Sequence, residues 1–162
     1  MDIESFKEVK PLSGFLSASV FENEFIGLKP TLFFGISIPL ETFKFQNEKV
    51  DTTVELDFIH LPVRNDWKEL IGNSYSFPIN PENGYIDGSV YLGHAHNPAD
   101  TSKVSFIENR GVLKCALEIT FDFTFEGPSF LGKPSVKWEI ELRYDEDQIS
   151  NAIKEIQAIQ SA

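Results

Sequence analysis

Cysteine and methionine are almost absent from this chain, with one of each in 162 residues. A lone Cys115 excludes an intramolecular disulfide. No apolar run approaches the ~18 residues that a membrane-spanning helix needs. The start, Met1-Asp2-Ile3-Glu4, is acidic and has no uninterrupted apolar segment, so no secretory signal peptide is expected there. These absences point to a cytoplasmic protein. Cations are scarce too: 14 Lys and Arg stand against 25 Asp and Glu, for a net charge of −11. Binding to nucleic acid or to an anionic membrane surface runs on Lys and Arg, so both are excluded as expectations. A basic protein partner is favoured instead, because opposite charge speeds encounter. Gly-x-Ser-x-Gly, Gly-x-Gly-x-x-Gly and phosphate-loop patterns are all missing. No nucleophilic catalysis and no cofactor is expected.

What is abundant is phenylalanine, at 15 residues. Aromatic side chains suit a pleated, half-buried surface. The organising stretch is Val112–Glu126, where every odd position from Leu113 to Phe125 is apolar and the even positions from Lys114 to Thr124 are polar or small. Such alternation predicts a long strand with one buried and one wet face. Its parity places Cys115 in the core as an inert thiol. Val136, Trp138, Ile140, Leu142 and Tyr144 alternate in the same way, so the two runs form a hairpin. Glu118, Asp122, Glu139 and Glu141 then share the wet face with Lys114, Lys137 and Arg143 as cross-strand ion pairs.

Further strands are expected over 14–25, 31–38 (buried on both faces), 42–46, 53–60, 85–92 and 103–108. Asn47-Glu48-Lys49 and Asn109-Arg110-Gly111 are turns. Val54, Leu56, Phe58 and His60 share one face and point inward. Asn65–Gly72 predicts a short helix capped by Asn65. Residues 73–84 and 93–102 read as loops, the second containing two histidines. From 146 to 160 the apolar period becomes helical, with Asp145 and Gln148 at capping-box spacing. The expected architecture is a single mainly β domain over 1–162. It is an antiparallel sandwich or partly closed barrel, with strands over about 14–144 and a C-terminal amphipathic helix.

Three functional readings follow. Between Lys68 and Lys103 there is no cation, and the acids Glu69, Glu82, Asp87 and Asp100 are interleaved with Tyr75, Tyr85 and Tyr91. Tyrosine supplies contact area at low entropic cost, so these seven residues are the candidate surface for a basic protein. In type, a small, acidic, β-rich chain without catalytic residues resembles the bacterial immunity proteins that neutralise toxins delivered between competing cells. That resemblance implies a cognate toxin domain, such as a basic nuclease, as partner, and it rests on no diagnostic motif. Second, Gly88, five residues, His94-Ala95-His96, three residues and Asp100 resemble the first motif of the cupins, metal-binding β-barrels. It implies His94 and His96 as metal ligands, with His60 or Asp100 completing the set. The chain differs in carrying Asp for Glu, Ile107 for the closing glycine, no later histidine, and Asn97-Pro98, which breaks the strand expected to bear the ligands. Third, the phenylalanines could line an apolar cavity in a small-molecule carrier.

Overall fold

The alternation read from the sequence becomes strand after strand in the computed structural model, which describes residues 1–162. The strands are β1 (Gly14–Asn23), β2 (Leu28–Pro39), β3 (Phe43–Phe45), β4 (Glu48–Val50), β5 (Thr53–Ile59) and β6 (Ser74–Ser76). They continue with β7 (Asp87–Leu92), β8 (Ala95–Asn109), β9 (Val112–Phe121) and β10 (Ser135–Tyr144), before helix α1 (Glu146–Gln160). Seven strands form a ring in the order β8-β7-β5-β2-β1-β10-β9, which closes because β9 also pairs with β8. The expected barrel with a C-terminal helix is therefore the architecture, and the ring is fully closed. β6 adds to β8 outside the ring, and β3–β4 is a separate ribbon. One continuous core of 37 buried apolar residues fills the interior.

Closure depends on β8. Ala95–Pro98 pair with β7, and Ala99–Asn109 pair with β9. The strand changes partner at Pro98, which has no N–H to give but whose carbonyl accepts the N–H of Asp122 (3.0 Å). The expected loop over 93–102 is thus reduced to the turn Gly93-His94, with Gly93 at φ +64. Proline is tolerated here because it sits where one ladder ends and the next begins. The crossing also brings backbones close. A Cβ at Gly88 would lie 2.0 Å from the carbonyl oxygen of Ala99.

Other expectations are corrected by local chemistry. The 112–126 run ends as a strand at Phe121, since the Asp122 carboxylate accepts the N–H of Thr124 (3.0 Å) and turns the chain. Phe125 is consequently exposed. β2 is buried on one face and half-buried on the other, not on both. In β5 a bulge opposite Phe34–Ile36 puts Phe58 at φ +58 and reverses the parity: Ile59 points inward, while Phe58 and His60 are exposed. The turn near residue 47 is Gln46-Asn47, both with positive φ, and Glu48–Val50 is a strand. The helix expected at 65–72 is one 3-10 turn, Trp67–Leu70, capped by Asp66 rather than Asn65. Residues 73–84 include β6. Of the ion pairs expected on the hairpin, Glu118–Lys137 forms (3.4 Å), whereas Asp122 meets Lys133 (3.7 Å).

The weak seam of the ring is the contact of β1 with β10, the only parallel one, which covers only Gly14–Leu16 against Leu142–Tyr144. Beyond it α1 takes over. Asp145 caps the helix through the N–H groups of Asp147 and Gln148. The Gln148 side chain does not complete a capping box. Its carboxamide instead accepts the N–H of Ala18 (3.1 Å) and donates to the Ala18 carbonyl, as a neighbouring strand would. Ile149, Ala152, Ile153 and Ile156 bury the helix on the core.

Two outcomes follow for stability. Gly88→Ala forces β7 and β8 apart and is expected to cost about 1–3 kcal/mol, a loss of several degrees in a thermal melt. Gln148→Ala strands the Ala18 backbone and is expected to cost about 1–3 kcal/mol in urea titration, with the strand signal in circular dichroism unchanged.

Candidate functional site

The turn Gly93-His94 folds β8 back along β7, and the outer faces of the two strands become one surface. Tyr91 faces His96 across the ladder, with ring centroids 4.7 Å apart. Asn97, the next residue, points the other way and is wholly buried. Its carboxamide accepts the N–H groups of Glu126 (3.1 Å) and Gly127 (3.2 Å) and donates to the Gly127 carbonyl (2.7 Å). The Glu126 carboxylate accepts the His96 N–H (2.6 Å). These bonds fix the loop after β9 against β8 and stand Phe125 beside the strand.

The result is an open cavity of about 310 Å³ lined by Tyr85, Asp87, His96, Asp100 and Phe125, with Asn80, Ile86, Gly88 and Pro98 between them. No Lys or Arg lines it. Its electrostatics are those of carboxylates short of counter-charge. Partial burial, and then the charge of Asp87, pushes the Asp57 carboxyl above its ordinary value; Asp57 lies opposite Asp87 in the β5–β7 ladder. Asp100 is raised by partial burial and by Asp122, against the opposing charge of Lys133. A cationic side chain placed here would relieve all of these charges.

The residues singled out in the sequence divide in two. Tyr85, Asp87, His96 and Asp100 share the cavity, and Tyr91 stands beside it. Glu69 is spent on its own 3-10 turn: it accepts the N–H groups of Asn65 and Asp66 (both 2.9 Å), which hold its carboxyl below the usual range. Tyr75 packs on Phe106, and Glu82 lies in the exposed turn before Tyr85. Asp57, Asn97 and Phe125 belong to this region without being among the residues that the acidic, tyrosine-bearing tract singles out. Asp57 reaches the site only through the β5–β7 register, for which the sequence carries no signal.

The metal-ligand arrangement implied by the cupin resemblance is not formed. His94 opens onto a different cavity, with Phe45 and Glu48, and His60 packs on Phe33. No three His, Cys, Asp or Glu side chains are grouped to hold a metal ion. The physical reason is the turn. His94 and His96 are two residues apart, but the chain reverses at Gly93-His94, so strand parity does not align them. Nor is any of the five main cavities, about 270 to 450 Å³, lined by more than one phenylalanine. Cys115 is buried and its thiol is pushed up to about 12, which removes it as a nucleophile. No helix is long and apolar enough to cross a membrane. Comparison with protein-family models, with curated proteins and with solved structures finds no match to this chain.

A raised carboxyl pKa means that protonation favours the fold. That contribution is complete below the ordinary value of 3.8 and is lost as pH rises through the raised one. Asp57→Asn and Asp100→Asn are therefore expected to raise the thermal midpoint at pH 7 and to shrink its fall as pH rises from 4. A lowered midpoint at pH 7 would show that the charged forms serve the fold.

Proposed function

We propose that this protein is a non-enzymatic binding module that docks a basic protein on the Tyr85–Asp87–Asp100 cavity. It would act as an acidic inhibitor of the immunity type, covering the cationic site of a toxin domain such as a nuclease. One observation carries this most: Asp87 and Asp100 line one cavity that no Lys or Arg lines, and Asp57 stands opposite Asp87 on the next strand. Partial burial, with repulsion from Asp87 at Asp57 and from Asp122 at Asp100, already raises two of these carboxyls, so part of their desolvation is met before a partner arrives. Lys or Arg from a partner would restore the charge balance. Tyr85, Tyr91 and Phe125 would supply the rigid contact area that binding hot spots use. The net charge of −11 supports the same partner by steering its approach. Inhibition of this kind needs charge and shape only, which fits a chain whose one thiol is inert.

The experiment pairs this protein with the product of the gene beside its own and measures affinity by calorimetry at several salt concentrations. A specific complex is expected, weakening as salt rises. Asp87→Lys and Asp100→Lys are each expected to raise Kd at least ~10-fold, equivalent to about 1.4 kcal/mol. A tight complex indifferent to both reversals, or no specific complex, would sink the proposal.

A further inference from the structure

Beside the acidic cavity, on the same outer face, the barrel carries rings that its core does not use. Phe58 of β5 sits edge-on to Phe21 of β1 and Phe33 of β2, with centroids 5.2 and 5.4 Å apart. Phe21 and Phe58 remain 38% and 41% exposed. At the tip of the β1–β2 hairpin, Phe25 and Ile26 are 102% and 74% exposed. They stand on an ordered turn, in which the Asn23 side chain accepts the Phe25 N–H (3.1 Å) and Gly27 closes at φ +71. A hydrogen-bonded turn presenting two uncovered apolar side chains suits contact with a partner.

Phe58 adds a second, independent observation. The 54–60 alternation would carry this ring inward, but the bulge turns it out at φ +58, a conformation that bulky side chains rarely adopt. Backbone strain of this kind persists where the surroundings impose it, and it collects at binding surfaces.

Charge indicates the occupant. The β1–β2 hairpin and β5 together carry Glu22, Glu24, Glu55 and Asp57 against a single cation, Lys29. Asp57 immediately precedes Phe58 and faces Asp87, so the rings and the acidic cavity adjoin. Two copies of a chain at −11 repel one another, which argues against self-pairing on this face. We infer that Phe21, Phe33 and Phe58, continued by Phe25 and Ile26, are the apolar half of one docking face whose acidic half is the Asp87–Asp100 cavity. Its occupant is a basic protein segment that alternates cations with large apolar side chains. This rests on the proposed function and specifies the partner's chemistry.

The test uses the full chain, isotopically labelled, and two probes: a peptide alternating Lys and Leu, and polylysine of the same charge. The alternating peptide is expected to shift the amides of Phe21, Phe33 and Phe58 together with those of Asp57 and Asp87. Polylysine is expected to shift only the acidic residues. Phe58→Gly suits the left-handed backbone and is expected to keep or raise the thermal midpoint while weakening the alternating peptide at least tenfold. Phe25→Ser with Ile26→Ser, on a fully exposed turn, is expected to weaken it too. Shifts confined to Asp57, Asp87 and Asp100 with both probes would overturn the inference and leave the proposed function standing. Silence at those acids would remove both. Shifts at the phenylalanines that grow with protein concentration alone, or a Phe58→Gly variant that loses stability but not affinity, would also overturn it.

Discussion

Everything in this barrel depends on β8 serving two neighbours in succession. Its first residues complete the ladder with β7, and the rest complete the ladder with β9, so the ring closes and leaves no edge between them. The crossing demands close backbone approach, which is why Gly88 faces the Ala99 carbonyl. It also leaves a buried polar backbone in the loop after β9, which Asn97 satisfies with three hydrogen bonds. The candidate site is a by-product of that closure. Asp87 and Asp100 come from either side of the partner change, and Phe125 stands on the loop that Asn97 holds.

The seam opposite is closed by other means. β1 and β10 meet over three residues only, and α1 covers the gap with its apolar stripe. The Gln148 carboxamide imitates a peptide group against Ala18. Trp67 fastens the helix start, its indole N–H donating to Glu146 (3.3 Å) and its ring meeting Tyr144 at 4.6 Å. The helix is thus part of the barrel wall, and the outer face from β8 to β1 is left free for contact. On that face the chain tolerates uncompensated carboxylates and a strained phenylalanine, local conflicts of the kind that binding surfaces retain.

Much of the fold was legible because period-two alternation reports a buried face directly. Leu113, Cys115, Leu117, Ile119 and Phe121 all point inward as their parity requires, as do Val136, Trp138, Ile140 and Leu142. The helix over 146–160 was equally plain from its period. Parity failed where a single residue broke it: at Phe58 through the bulge, and at Phe125 through the Asp122 turn. The tract 93–102 has no strand signature in sequence, because Asn97-Pro98 looks like a strand breaker. Only the change of partner at Pro98 makes it tolerable in a strand.

By itself the sequence determined most of the longer strands, the helix, the burial of Cys115 and the acidic, cation-free tract that supplies most of the site. These are local properties, set by side-chain period and by charge along the chain. Tertiary structure alone decided that the sheet closes, that Asp57 joins Asp87, and that Asp87 and Asp100 share a cavity with Phe125. Strand register and partner exchange bring together residues tens of positions apart. No pattern within one strand records which other strand will lie beside it.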